Sequence, residues 1–138
     1  MSFPHTTEIS PITAIKPVPR FGGIVTDTPY TYQLIGAKFL ADQGDAGLFD
    51  EMGLGKTLQA IIACDSVGAK TILVICPASA RINWQREFKR FQTINRKVSV
   101  ILSGFDNPEP EGVTICSFDL ASREDIHSKL MENRYDVL

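Results

Sequence analysis

The chain has 138 residues, 43% of them hydrophobic and 22% charged, with a formal net charge of -2. These values suit one globular domain with a real core, and they exclude a disordered chain or, by bulk charge, a strongly basic nucleic-acid binder. Local patches can still meet a phosphate backbone. Cys64, Cys76 and Cys116 are an odd, widely spaced set in apolar segments, with neither a C-x-x-C pair nor a His at ligand spacing. They are expected as buried thiols in a reducing compartment rather than as a disulfide or zinc framework. His5 and His127 sit among polar residues and are expected at the surface. Pro4 interrupts the start with no apolar core behind it, and no run reaches the length of a membrane span. The expected location is therefore the cytoplasm, or the nucleus of a eukaryote, and not the secretory route.

In chain order, residues 1–28 hold Pro4, Pro11, Pro17 and Pro19 with Gly22 and Gly23 and read as an extended, Pro-rich lead-in. From Tyr30 the apolar spacing of Leu34, Ile35, Ala37, Phe39 and Leu40 predicts a helix ending near Gly44. Ala46-Gly47-Leu48-Phe49 reads as a strand that feeds a glycine-rich loop, and a second helix runs from about Lys56 to Gly68 with Leu58, Ile61, Ile62 and Val67 on its apolar face. Thr71 to Cys76 is an unbroken apolar run, as in a strand covered on both faces, and its expected neighbour is the Ala46 strand, reached by a right-handed crossover in a parallel sheet.

Ser79 is placed to cap a third helix whose Ala80, Trp84, Phe88 and Phe91 share one face, expected as core. Arg81, Arg86, Lys89, Arg90, Arg96 and Lys97 form a basic stretch on the side away from Trp84 and Phe88; a solvated face is the ordinary reading, with contact to a nucleic-acid backbone as the alternative. Two further strands are predicted, Val98–Leu102 and Val113–Cys116, separated by the turn-forming Gly104-Phe105-Asp106-Asn107-Pro108. A last helix is expected from about Asp119 to Asn133, before Tyr135-Asp136-Val137-Leu138 begins another strand.

The chemistry concentrates in Asp50-Glu51-Met52-Gly53-Leu54-Gly55-Lys56-Thr57. A Gly-Lys-Thr tripeptide occurs by composition alone in some chains, so its setting carries the inference. Here a strand enters, glycines let backbone N–H groups turn inward, and a helix starts at about Lys56 with its positive dipole end at the same place. An anion would be held mainly by backbone, with Lys56 reaching the β- and γ-phosphates and the Thr57 hydroxyl placed to ligate magnesium. The strict phosphate-loop pattern has Gly where this chain has Asp50.

Four segments, in order, resemble the Swi/Snf-type ATPases of helicase superfamily 2: Pro29 to Leu40, Asp50 to Gln59, Ile75 to Phe88 by way of Pro77-Ala78-Ser79 and Asn83-Trp84-Gln85-Arg86-Glu87-Phe88, and Thr114 to Leu120. The short spacings look most like the compact branch of annealing helicases and their bacterial or phage relatives. In that family the Asp-Glu-Met-Gly-Leu-Gly-Lys-Thr string is regular, so Asp50 ceases to be a departure. The resemblance implies an α/β, three-layer, P-loop RecA-like fold with a mainly parallel sheet, residues 29–138 being part of a first helicase lobe that stops before the Asp-Glu box strand is complete. It also implies ATP and Mg2+ as ligands. Nucleotide contacts would come from Gln33, Asp50, Glu51, Met52, Gly53, Leu54, Gly55, Lys56, Thr57 and Leu58, with Thr57 at the metal.

Gln33 is similar to the family's adenine-recognising glutamine, a role its carboxamide suits because it can accept from the N6 amine while donating to N7. Pro77-Ala78-Ser79 and Ser117-Phe118-Asp119 look like segments that touch a nucleic-acid backbone, so DNA, double-stranded or branched, is the implied partner, along with a second helicase lobe. The family's Asp-Glu box and the arginine of the second lobe do not occur within these residues. The 138 residues alone are therefore expected not to hydrolyse ATP efficiently. The competing reading is a non-catalytic nucleic-acid-binding or interaction module with a vestigial phosphate loop. A small-molecule P-loop kinase is disfavoured, since Trp84-Gln85-Arg86-Glu87-Phe88 has no role in one.

Overall fold

The computed structural model describes residues 28–49, 53 and 55–138. The lead-in through residue 27, with His5, and the loop residues Asp50, Glu51, Met52 and Leu54 lie outside them. Helix α1 spans Thr31–Gln43 and α2 spans Lys56–Ser66, followed by strand β1, Thr71–Cys76. A short 3-10 turn, Ala78–Ala80, leads into α3, Arg81–Phe91, and then come β2, Val98–Val100, and β3, Gly112–Ser117. Two short helices, α4 (Phe118–Ala121) and α5 (Glu124–Glu132), complete the chain before its final residues. Among the described residues no helix is long and apolar enough to cross a membrane.

The sheet has the order β1-β3-β2 and is parallel throughout, with Ile72 opposite Val113, Cys76 opposite Ser117, and Val98 also opposite Val113. The other flank of β1 is taken as well. Val137 forms a parallel bridge to Ile72, the Leu73 N–H donates to the Val137 carbonyl at 2.9 Å, and the Asp136 N–H donates to the Thr71 carbonyl at 2.8 Å. The segment Tyr135-Asp136-Val137-Leu138, read from sequence as the start of a strand, thus lies beside the first residues of β1, with Val137 forming an isolated bridge rather than a strand.

Alternation along β1 divides the core into two layers. Ile72, Val74 and Cys76 pack with Ile61 and Cys64 of α2, with Phe88 and Phe91 of α3, and with Val113 and Ile115. Leu73 packs on the other side with Ile101, Cys116, Ala121, Ile126 and Leu130. Helix layer, parallel sheet, helix layer is the three-layer α/β arrangement expected. It also explains why β1 is apolar without interruption: both its faces are covered.

Several expectations need correction. Ala46 to Phe49 is not a strand and does not neighbour β1. One flank of β1 pairs with β3, the start of the other bonds Asp136 and Val137, and Phe49 is 97% exposed. Ser79 does not cap α3: the Ala80 N–H donates to the Pro77 carbonyl at 2.9 Å, so a helical turn forms earlier and the N-cap falls on Ala80. The helix expected from Asp119 to Asn133 breaks at Ser122-Arg123. The Ser122 hydroxyl donates to the Asp119 carbonyl at 2.9 Å, a local bond that competes with the helical ladder, and Arg123 turns extended to start α5. The turn before β3 is present, with Asp106 accepting from the Leu102 and Ser103 N–H groups at 2.8 Å each.

The basic stretch after β1 serves mainly to hold the fold. Arg96 is buried, pairs with Asp65 of α2 at 2.5 Å and donates to the Ala69 carbonyl at 2.6 Å. Asp65 also accepts from the Thr93 N–H at 2.6 Å. Arg81 donates to the Ala78 and Ile101 carbonyls, Lys97 pairs with Glu109, and the Arg90 guanidinium lies over the Phe91 ring. Arg86 and Lys89 are exposed. The aromatic face of α3 is core as expected, with Phe88 and Phe91 buried and Trp84 half-buried against Phe88.

The Asp65–Arg96 pair ties the end of α2 to the segment between α3 and β2, and truncating one partner leaves a charge in a site that excludes water. Arg96→Ala is expected to lower stability by about 3 kcal/mol, read from urea unfolding at constant m. All three cysteines are buried free thiols, as expected, and His127 is exposed. Burial pushes the Cys64 thiol up to about 11, with the nearby Arg96 charge opposing the rise. At pH 8 the native chain is therefore expected to react slowly with a disulfide reagent and to release all three thiols in urea. Fast labelling of Cys64 in the native state would contradict this packing.

Candidate nucleotide site and nucleic-acid edge

Helix α2 starts abruptly. Its N-cap, Gly55, has φ 74° and ψ 43°, a left-handed conformation that glycine adopts without strain, and its first internal bond runs from the Gln59 N–H to the Gly55 carbonyl at 3.1 Å. The geometry of a helix start directs the first-turn N–H groups, at positions 56–58, out of its end. No acidic side chain lies in that first turn to compensate the dipole, so the end is suited to an anion. Lys56 and Thr57 are half-buried and face a cavity of about 650 Å³, whose wall includes Leu40, Leu48, Trp84 and Val137.

The structure brings Gln33 to this end. Gln33 is buried on α1, and its Oε1 accepts from the Tyr30 N–H at 2.9 Å. Its Nε2 lies so close to Gly55 that a Cβ there would overlap it. Residues far apart in sequence thus meet where the phosphate loop ends. Leu58, expected to touch nucleotide, packs its side chain between α1 and the core, so only its backbone is placed to contribute. Gly53 is exposed with φ 84°.

The two other expected segments leave the sheet together. Because β1 and β3 are parallel with Cys76 opposite Ser117, Pro77-Ala78-Ser79 and Phe118-Asp119 emerge side by side at the carboxyl edge of the sheet. Pro77, Ala78, Ser79, Phe118 and Asp119 are exposed. Ser117 differs from them: it is buried, and its Oγ accepts from the Leu120 N–H at 3.3 Å, so it caps α4.

Sequence reasoning gave no structural role to two residues that it named within motifs. The Asp136 carboxylate accepts from the Lys70 N–H at 2.7 Å and the Thr71 N–H at 3.0 Å, which sets the register of the last segment against β1. Those two backbone donors hold its carboxyl below the ordinary carboxylate range. An acid immediately before an apolar strand was the available signal. Gln59 is completely buried on the apolar face of α2, and a polar residue amid Leu58, Ile61 and Ile62 was the signal there.

The family comparison follows this geometry. The SNF2-related domain matches residues 32–138, which takes in Gln33, the start of α2, the sheet and both exposed segments. The chain belongs to the SNF2-related family. A bovine SWI/SNF-related matrix-associated actin-dependent regulator of chromatin subfamily A-like protein 1 is 34% identical over 123 residues, covering 85% of this chain and 13% of that protein. Helicase SWR1 of Saccharomyces cerevisiae is 32% identical over 126 residues, covering 78% of the chain and 8% of the relative. ATP-dependent helicase fft1 of Schizosaccharomyces pombe is 32% identical over 130 residues, again 78% of the chain, and 13% of the relative. This SNF2-related chain thus spans about a tenth of the length of these relatives.

Asp136 gives a pH dependence with a definite sign. A carboxylate whose folded-state pKa is depressed contributes fully above its unfolded value, about 3.9, and loses the contribution as pH falls through the lower folded value. Protection of the Leu73 amide, which bonds to Val137, is expected to hold at pH 6 and to weaken below about pH 4. Asp136→Ala is expected to show the weak protection at both pH values, measured by hydrogen exchange.

Proposed function

We propose that this chain is the nucleotide-holding part of a DNA-dependent ATPase that works, as part of a larger protein, as a helicase-like translocase. The observation that carries the reading is the meeting of Gln33 with Gly55, at the helix end that also bears Lys56 and Thr57. The residues present fit ATP with Mg2+. The left-handed glycine start leaves room for backbone approach, no acid opposes a phosphate in the first turn, and a cavity opens beside Lys56 and Thr57. The backbone at 56–58 and the Lys56 ammonium would hold the β- and γ-phosphates, the Thr57 hydroxyl would ligate the magnesium, and the loop from Asp50 to Leu54 would complete the cradle. Gln33 would read the adenine with its carboxamide, a group that carries both an acceptor and donors. When bound, the nucleotide supplies a phosphoanhydride whose cleavage the metal assists by neutralising charge.

The relatives, named as helicases and a regulator of chromatin, support a nucleic-acid partner. On this reading DNA, double-stranded or branched, meets the carboxyl edge of the sheet at Pro77-Ala78-Ser79 and Phe118-Asp119, in the cytoplasm or nucleus. Ser79 and the backbone are the available donors, while the Asp119 carboxylate limits how closely a phosphate approaches there. The resemblance assigns the acid that orients the attacking water, and an arginine from a second lobe, to segments other than the four matched here. The reading is therefore binding without appreciable turnover by this chain alone.

Titration with a fluorescent ATP analogue and Mg2+ tests it. Measurable binding is expected, weakened at least roughly tenfold in Lys56→Ala by loss of charge-assisted hydrogen bonds to phosphate. DNA-stimulated turnover that Lys56→Ala abolishes would show more complete machinery than proposed. DNA affinity with no trace of nucleotide binding would favour the non-catalytic module.

A further inference from the structure

Helices α1 and α2 meet through a reciprocal pair of contacts. Gln33 of α1 lies on Gly55 at the start of α2, and Gln59 of α2 lies on Gly36 of α1, one turn further along. Gly36 stands inside a helix with no left-handed φ, so its backbone does not call for glycine. Glycine there costs roughly 1 kcal/mol of helix propensity relative to alanine, and close approach is what the structure gives in return. A Cβ on Gly36 would overlap the Gln59 Oε1, stand 2.9 Å from its Cδ and touch Leu48 at 3.6 Å.

The far end of a glutamine usually yields to such a Cβ by swinging into water. Gln59 has no such exit, being 0% exposed. On the same pair of helices Ala37, Ile62 and Ala63 are buried, with Leu34, Leu40, Ala41 and Leu58 packed against them. Apolar side chains alone tolerate a sliding helix, since their contacts are non-directional. A carboxamide seated on a bare Cα fixes both the depth and the register of α1 on α2. Gln33 precedes Gly36 by one turn on the same face of α1, so its placement at the start of α2 follows from that seat.

We propose that Gly36 and Gln59 are positioning residues for base selection: the seat of Gln59 on Gly36 fixes Gln33 against the phosphate-binding end of α2. This rests on the reading that Gln33 recognises adenine. The phosphates are held by α2 and its preceding loop, so a shift of α1 acts on the base and spares the rest. Disturbing the seat lowers affinity for ATP more than for GTP or for inorganic pyrophosphate.

The experiment measures equilibrium binding of ATP, GTP and pyrophosphate, each with Mg2+, to the 138-residue chain and to Gln33→Ala, Gly36→Ala, Lys56→Ala and the double variant Gly36→Ala/Gln59→Ala. Gln33→Ala and Gly36→Ala are each expected to cut the ATP:GTP affinity ratio by roughly fivefold to tenfold, the worth of one or two hydrogen bonds to the base. Lys56→Ala is expected to weaken ATP, GTP and pyrophosphate together with the ratio kept. The double variant relieves the overlap but lacks the seat, so it is expected to fold and to keep its pyrophosphate affinity while its ATP:GTP ratio stays low, an outcome that general damage to the fold does not produce. If Gly36→Ala fails to fold, the double variant decides: a folded chain with the preference lost supports the proposal, and a folded chain that keeps it overturns it.

An unchanged ratio in folded Gly36→Ala, with the ratio lost in Gln33→Ala, overturns the positioning role and leaves the reading of Gln33 intact. Equal ATP and GTP affinity in the unsubstituted chain overturns both.

Discussion

Everything in this chain is built outward from β1. Its backbone pairs with β3 along one flank and with Asp136 and Val137 at the start of the other, and its side chains are covered on both faces, so six consecutive residues from Thr71 to Cys76 fix the position of their neighbours at once. One flank receives β3 and the other receives Val137, with Asp136 pinning its entry through the Lys70 and Thr71 N–H groups. One face receives α2 and α3, and the other receives α4 and α5. Because the pairing is parallel, the loops that leave β1 and β3 appear on the same edge, and that common edge gathers the exposed Pro77–Ser79 and Phe118-Asp119.

The nucleotide-holding end depends on that frame through α2. Ile61 and Cys64 bury one side of the helix against β1, and Asp65 is held at its far end by Arg96 and Thr93. With the body and far end of α2 anchored in the core, its near end with Gly55, Lys56 and Thr57 stands at a fixed place. Helix α1 is less deeply rooted, since its apolar contacts are with α2 and not with the sheet. Its seat on α2 is accordingly polar and specific: two glutamines, each lying on a glycine of the opposite helix. On the proposed reading, phosphate affinity draws on the rooted helix, and discrimination between bases draws on the one seated upon it.

Much of the fold was legible because periodicity and punctuation are local. The apolar run of β1, the glycine at position 68 that ends α2, the aromatic face of α3 and the turn that uses Asp106 follow from side-chain spacing and backbone preference. What sequence could not give was partnership. Ala46 to Phe49 reads as a strand from its residue types, but a strand needs a partner, and these residues pair with none of the three strands of the sheet. Arg96 reads as one more cation in a basic stretch, and only the position of Asp65 many residues earlier makes it a buried structural charge. Ser122 breaks a helix by a hydrogen bond that competes with the ladder, a choice that composition alone leaves even.

The site was legible to a different degree. The glycine, lysine and threonine at positions 55–57 announce their chemistry by type and spacing, and the resemblance supplied Gln33, whose contact with Gly55 requires the packing of α1 on α2. Gln59 and Asp136 were named within their segments, but their roles were not legible because those roles lie in what the residues touch. The central claim, that the start of α2 holds the phosphates of a nucleotide, is tested most directly by backbone amide NMR of the chain during titration with ATP and Mg2+. The expected result is saturable shifts concentrated at Gly55, Lys56, Thr57 and Leu58, with a shift at the Gln33 side-chain amide that GTP fails to reproduce. Saturation that leaves residues 55–58 unmoved, or the absence of any shift there at millimolar nucleotide (roughly -4 kcal/mol of binding free energy or weaker), would contradict it.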